Sequence, residues 1–255
     1  MRHVFKALVA AAVLSAGLFT SRVQASVVIE ATRVIFPAKE REVTVRLANN
    51  GNSPALVQAW LDNGNANSSP DKITVPFTIT PSMFRLDPNK GQTLRVIYTK
   101  EPLAQDKETM FWLNVLEVPP KVAHDAGADE NKLQLAFRTR IKLLFRPQGL
   151  PGKAAEAPAK TTWEVVRDEG GKGYALKATN PTPYFVNLGE VTFKTGGKQF
   201  AAGAGFVKPG ESQLFPIKDL AAQPGADAEV DFISLNDFGG GVQGKQLLGG
   251  AQPAK

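Results

Sequence analysis

The chain has 255 residues, with 30 Lys and Arg against 24 Asp and Glu, two histidines and no cysteine. Without cysteine there are no disulfides, no cysteine-ligated metal sites and no Cys/His nucleophile pair. The net charge of +6 is small for this length and does not point to nucleic acid; any basic effect must be local.

The chain opens on a basic stretch at 1–6, an apolar stretch at 7–20 and the small-residue site Val23-Gln24-Ala25. This pattern predicts a cleaved signal peptide over 1–25, a mature start at Ser26 and export. An uncleaved signal anchor is the alternative. The apolar stretch is short for a span, which needs about 20 apolar residues, and no later segment is long enough, so no stable membrane insertion is expected. Cleavage removes Arg2, Lys6 and Arg22 and no acidic residue, which leaves 230 residues and a net charge of +3. That length fits one large or two medium domains held by hydrophobic cores.

Short alternating runs bounded by turn residues then follow one another. Residues 27–36 read as extended and 42–48 alternate, with Val43, Val45 and Leu47 on one face. Asn49-Asn50-Gly51-Asn52 is a turn. In 54–61, Leu56, Gln58 and Trp60 oppose Val57, Ala59 and Leu61. Strand pieces are predicted around Pro81, at 93–99 and at 111–118. With no amphipathic helix in view, the expectation is an antiparallel β-sandwich of roughly 120 residues.

Residues 132–147 form the longest period-2 run. Leu133, Leu135, Phe137, Thr139, Ile141 and Leu143 share one face; Gln134, Ala136, Arg138, Arg140 and Lys142 share the other. At a sheet edge such a strand can fill an apolar groove and offer cations on its other face. Residues 148–160 are rich in Gly, Pro and Ala and read as a linker. Strand patterns resume at 162–166, 174–178, 185–188, 191–194, 213–217 and 230–235, which predicts a second β domain over 161–248. A disordered tail is expected at 249–255.

Enzyme chemistry finds little support. The mature chain has one histidine, His124, in a polar loop. A Ser-His-Asp triad would need it, and no Gly-x-Ser-x-Gly elbow exists. Asp125, Asp129 and Glu130 read as a solvated face, as do Asp227, Glu229 and Asp231. Gly239–Gly244 matches a dinucleotide-binding pattern, but no helix follows and too few residues remain for a βαβ unit. No enzyme activity, cofactor or metal is expected.

Several segments carry a resemblance: Ala31-Thr32-Arg33-Val34-Ile35-Phe36, Ala55-Leu56-Val57-Gln58-Ala59-Trp60-Leu61, Phe84-Arg85-Leu86-Asp87-Pro88, Phe111-Trp112-Leu113-Asn114-Val115 and Arg140-Ile141-Lys142-Leu143-Leu144-Phe145-Arg146-Pro147. Asn180-Pro181-Thr182-Pro183-Tyr184-Phe185 and Asn236-Asp237-Phe238-Gly239-Gly240 extend it. In this order and spacing the chain resembles the PapD-like periplasmic pilus chaperones of the chaperone–usher pathway, from about residue 26 to 243. The resemblance implies two immunoglobulin-like β-sandwiches in a boomerang, the first over 26–147. It implies a chaperone that caps pilus or fimbrial subunits by donor-strand complementation and delivers them to an outer-membrane usher.

By the same resemblance, Leu133, Leu135 and Phe137 on the strand at 132–147 are the lent side chains, and Arg33 and Lys142 hold the subunit's C-terminal carboxylate. Periodicity alone would put the three apolar residues in the domain's own core and read both cations as solvent-facing. Glu108, Arg146 and Asp237 match a charged cluster that holds the domain angle. Arg138 and Arg140 match no family role and are expected to be solvated. The loop at 119–131 looks like the short-loop branch. An exposed lent edge also leaves self-capping by dimerisation open. The alternative from another class is a two-domain β-sandwich adhesin or carbohydrate-binding protein, with a hydrolase a distant third.

Overall fold

The computed structural model describes residues 26–120, 135–168, 173–220 and 224–248. The predicted signal peptide, His124 with its acidic loop, most of the 119–131 loop, Leu133 and the tail lie outside the described residues. The first domain contains β1 (Val27–Ile29), β2 (Arg33–Pro37), β3 (Glu42–Asn49), β4 (Ala55–Asp62), β5 (Phe77–Thr80), β6 (Met83–Leu86), β7 (Gly91–Tyr98), β8 (Thr109–Val118) and β9 (Phe137–Arg146). These form two sheets, ordered β1-β3-β7-β5 and β2-β9-β8-β4-β6.

The alternation seen in sequence becomes the packing of this sandwich. Val45, Leu47, Leu94 and Val96 are buried from one sheet, and Val57, Ala59, Leu113, Val115, Leu143 and Phe145 from the other. Phe77 sits among aromatic rings, 5.3 Å from Phe36 and 5.0 Å from Phe111 between centroids. Edge-to-face rings at such distances add to the area they bury.

The extended run expected at 27–36 is not one strand. β1 pairs antiparallel with β3, and β2 pairs parallel with β9 in the opposite sheet. The chain crosses between sheets at residues 30–32. Val27 is thus buried from one side of the core, and Val34 and Phe36 from the other.

The second domain contains β10 (Thr162–Arg167), β11 (Tyr174–Thr179), β12 (Val186–Thr195), β13 (Lys198–Val207), β14 (Ser212–Pro216), β15 (Glu229–Leu235) and β16 (Gly241–Leu247). Its sheets run β10-β11-β14 and β13-β12-β15-β16 around a core that includes Trp163, Leu176, Val186, Phe193, Val207 and Phe215. The two runs expected at 185–188 and 191–194 are one strand, β12, with a bulge between Leu188 and Val191. Neither β13 nor β16 was expected.

Residues 148–160, read as a linker, carry a 3-10 turn (Ala154–Glu156) and the one-turn helix α1 (Ala157–Lys160). Ala157 is buried in the second core, and Leu150 and Ala154 pack against it. The Tyr184 hydroxyl donates to the carbonyls of Gly152 (3.0 Å) and Leu150 (3.3 Å). Among the described residues no helix is long and apolar enough to cross a membrane.

Part of the glycine-rich run at 239–244 has a packing reason. Gly244 pairs with Phe232, and a Cβ there would lie 2.4 Å from the Phe232 ring. That ring cannot easily retreat, because it stacks on Trp163 at 5.6 Å. Gly244→Ala is therefore expected to destabilise the protein by about 1–3 kcal/mol through overpacking. Urea unfolding followed by tryptophan fluorescence measures it.

Candidate functional site at the interdomain cleft

The free half of β9 defines the site. Along one edge β9 pairs with β8 for nearly its whole length, from Phe137 opposite Glu117 to Phe145 opposite Thr109. Along the other edge β2 pairs with residues 142–146 alone. Residues 137–141 therefore present one unpaired backbone edge among the described residues. An unprotected strand edge is a template for another chain. Phe137 is partly buried at the start of β9, and Leu135, just before the strand, is 46% exposed. The alternation within β9 places Phe137 on the core-facing side, ahead of Ile141 and Leu143.

The last pair before the edge opens is Arg33 with Lys142, aligned on neighbouring strands. Both side chains reach across to the second domain. Lys142 Nζ donates to Asn187 Oδ1 at 2.7 Å, and Arg33 Nη1 donates to the Leu235 carbonyl at 3.2 Å. Lys142 Nζ also lies 4.5 Å from the Phe206 ring centroid and 5.8 Å from that of Trp112. Arg33 Nε is buried without a hydrogen-bond partner among the described residues. Neither cation has a carboxylate in ion-pair contact among the described residues. Burial, and then the positive charge of Arg33, bring Lys142 down to about 8. Burial also lowers Arg33, against the partial opposition of Asp237. Two desolvated like charges side by side are an electrostatic site for an anion.

Four residue pairs beyond, at Arg146, the charges are balanced. Arg146 Nε donates to Glu108 Oε1 at 2.6 Å, while Nη1 and Nη2 donate to the two Asp237 oxygens at 2.7 and 2.8 Å. Glu108 also accepts from the Phe185 amide at 2.7 Å, and its own amide donates to the Pro183 carbonyl at 2.9 Å. The three residues expected to cluster are thus in contact and bridge the two domains. Burial holds Glu108 above the usual carboxylate range, although Arg146 opposes it. Burial also acts to lower Arg146, but the two carboxylates outweigh it and hold it above its ordinary value.

Arg138 and Arg140 are not simply solvated, contrary to expectation. The Arg140 guanidinium contacts Asp62 and stacks 4.3 Å from the Trp112 centroid. Arg138 Nε donates to Asn114 Oδ1 at 2.8 Å, Nη1 to the Ala66 carbonyl at 2.6 Å, and its guanidinium lies 5.0 Å from the Trp60 centroid. Asp62 is fully buried. Burial would raise its carboxyl, but hydrogen bonds from Arg140, Asn114 and the Gly64 amide outweigh that and hold it low. The period-2 pattern put these side chains on the right face. It could not reveal that β4 and β8 supply two indoles and a buried acid beneath them. Asn187 and Phe206, in the second domain, were likewise missed, because only tertiary contact brings them to Lys142.

A cavity of about 220 Å³ continues the cleft, lined in part by Leu144, Arg146, Phe185, Asn187 and Leu235. A larger depression of about 500 Å³ lies toward the other end of β12, where Lys194 pairs with Asp231. There the second acidic group is structural. Asp227 accepts from the Gly196 amide at 2.7 Å, and Glu229 lies 3.9 Å from Lys194. Among the described residues no group of acidic or histidine side chains is arranged to hold a metal ion.

The comparisons with known proteins agree over nearly the whole described chain. Residues 26–151 match the N-terminal domain of the PapD pili and flagellar-assembly chaperones, and residues 156–246 match the PapD pili assembly chaperone C-terminal domain. The probable fimbrial chaperone YadV of Escherichia coli K12 is 43% identical over 231 residues, which is 90% of this chain and 93% of that protein. Chaperone protein FimB/FhaD of Bordetella pertussis is 42% identical over 221 residues, 85% and 86% of the two chains. The crystal structure of YadV superposes with a TM-score of 0.75, covering 87% of this chain and 98% of its own. The SafB chaperone of Salmonella enterica, solved in complex with the SafA pilin, gives 0.71 at 29% identity over 89% of this chain and 99% of the solved one.

The charged bridge predicts an asymmetry. Arg146→Met strands the buried Glu108 and is expected to cost about 3 kcal/mol. Asp237→Ala removes a partner that is 37% exposed and is expected to cost about 1 kcal/mol at most. It should also broaden the interdomain distance distribution in small-angle scattering, with little change in affinity for a binding partner.

Proposed function

We propose, for this member of the PapD-like pilus-assembly chaperone family, that it works in the periplasm and caps pilus subunits by lending them β9. The observation that carries this reading is the half-paired β9, whose open edge begins where two cations with no carboxylate partner among the described residues stand side by side. A subunit lacking its last strand exposes both apolar core and unpaired backbone. The open edge at 137–141, continued toward Leu133, would satisfy that backbone, and Leu133, Leu135 and Phe137 would fill the pockets. Each such side chain stabilises by roughly 1.5–3 kcal/mol when fully buried, before ordering costs.

Arg33 and Lys142 would take the subunit's C-terminal carboxylate. Charge-assisted hydrogen bonds there would fix the register of the added strand, since a slip of one residue turns every side chain to the wrong face. Glu108, Arg146 and Asp237 would hold the domain angle without touching the subunit. Delivery to an outer-membrane usher would follow, with the next subunit's extension displacing the lent strand. Without a subunit, the same edge could pair with a second copy of the chain. Support for a pilus subunit as partner comes from the solved complex of SafB with the SafA pilin.

Periplasmic pull-down of tagged wild type beside Arg33→Ala and Lys142→Ala, read by mass spectrometry, tests the reading. Small exported β-proteins are expected with wild type and lost from both variants, while all three chaperones stay folded. Normal recovery in both variants would remove the anchor assignment.

The site also predicts a pH dependence. Carboxylate binding requires charged Lys142, whose free value is about 8, and a bound carboxylate raises that value. Affinity should therefore be full below about pH 8. It should then fall by up to tenfold per unit as pH rises toward the raised value of the complex. Fluorescence anisotropy with a peptide copied from a recovered subunit's C-terminus measures this. The Lys142→Arg variant and the amidated peptide should both lack the slope.

A further inference from the structure

Glu117, near the end of β8, is on the core-facing side and is 8% exposed. The described residues offer its carboxylate three donors, and none is a cationic side chain. They are the Ser26 amide nitrogen (3.4 Å to Oε1), the Ser26 hydroxyl and the Val27 amide (3.0 Å to Oε2). A buried carboxylate without a counter-charge is costly, and backbone amides offset only part of that.

The surroundings hold Ser26 in place. The Asn50 amide donates to the Ser26 carbonyl at 2.8 Å, and Val27 pairs with Asn49. A Cβ at Gly51 would lie 2.4 Å from that of Ser26, so glycine there permits the close approach. Ser26 is also the residue that follows Val23-Gln24-Ala25.

We propose that Glu117 is a binding site for the chain's own α-ammonium, generated when the Ala25–Ser26 bond is hydrolysed. An export peptidase would add one water across that bond, leaving a carboxylate on Ala25 and an ammonium on Ser26. The nitrogen that offers Glu117 one amide hydrogen in the precursor then offers a full positive charge and three hydrogens. An α-amino group has an ordinary value near 7.7–8.0, so it is largely charged at neutral pH even before pairing. The pair would clamp β1, in one sheet, to β8 in the other. Glu117 is also the register partner of Phe137, so the clamp closes the sandwich beside the start of the lent strand. Processing and completion of the first domain thereby become one event. In the precursor the buried carboxyl group meets no cation among the described residues, and cleavage supplies one.

The test uses protein exported from the full precursor, with intact mass measured first. Four proteins are compared: wild type, Glu117→Gln, a precursor with one glycine inserted between Ala25 and Ser26, and the double variant. The insertion leaves an amide at Ser26 and moves the ammonium one residue away. Each single change is expected to lower the melting temperature by roughly 2–4 °C, and the double variant should melt no lower than the worse single variant. A mature chain that starts elsewhere than Ser26, an insertion that costs no stability, or additive losses would each overturn the proposal. Should Glu117→Gln fail to fold, labelling of the α-amine by an amine-reactive ester at pH 7 decides between wild type and insertion. Labelling at least tenfold slower in wild type supports the ion pair, and equal rates overturn it.

Discussion

The parallel pairing of β2 with half of β9 is the constraint on which the rest of this structure depends. A parallel pair cannot be closed by a hairpin, and here strands β3 to β8 come between β2 and β9 in the chain, while a short crossing at 30–32 carries the chain from β1 in one sheet to Arg33 in the other. That crossing sets where β2 begins, and so where β9 loses its second neighbour. A strand two residues longer at the N-terminal end of β2 would close the open edge at residues 140 and 141. The same crossing brings Arg33 level with Lys142, and the cations mark the boundary between closed and open backbone.

The cleft divides its charges into two kinds. Arg146 is fully matched, with a carboxylate from each domain. Arg33 and Lys142, four positions earlier along the strands, are desolvated, repel each other and, among the described residues, hold only neutral acceptors. Matched charges satisfy one another, and unmatched charges keep the capacity to take an anion. Lys142, lowered to about 8, is destabilised in its charged form in the free protein. That is the usual condition of a group whose favourable interactions come from a partner.

Much of this was legible in the sequence, and the rest failed for identifiable reasons. The alternation of β3, β4, β8 and β9 was plain, because one face of each is buried and the other is polar. Neither β13 nor β16 could be read that way. β13 is Lys-Gln-Phe-Ala-Ala-Gly-Ala-Gly-Phe-Val, with little contrast between faces, and β16 is an edge strand exposed along most of its length. The bulge in β12 split one strand into two apparent ones. Residues 148–160 have the composition of a linker, yet Leu150, Ala154 and Ala157 dock on the second core. A few well-placed apolar residues outweigh composition once a neighbouring core is there to receive them. Arg33, Lys142, Glu108, Arg146 and Asp237 were located by resemblance, since an isolated charge on a strand carries no pattern of its own. The partners of Arg138 and Arg140 lie in β4 and β8, beyond the reach of any local periodicity.

The stacked guanidinium groups over Trp60 and Trp112 have a consequence for how this molecule survives in crowded surroundings. A protein that keeps a strand edge open must be adhesive along one line and inert beside it. Two bare indoles next to that line would invite indiscriminate attachment. Here each indole is roofed by an arginine that is itself fastened, one to Asn114 and one to Asp62. The roof covers the aromatic faces with charged groups. Selectivity at the edge thus begins with the repellent quality of the surface next to it.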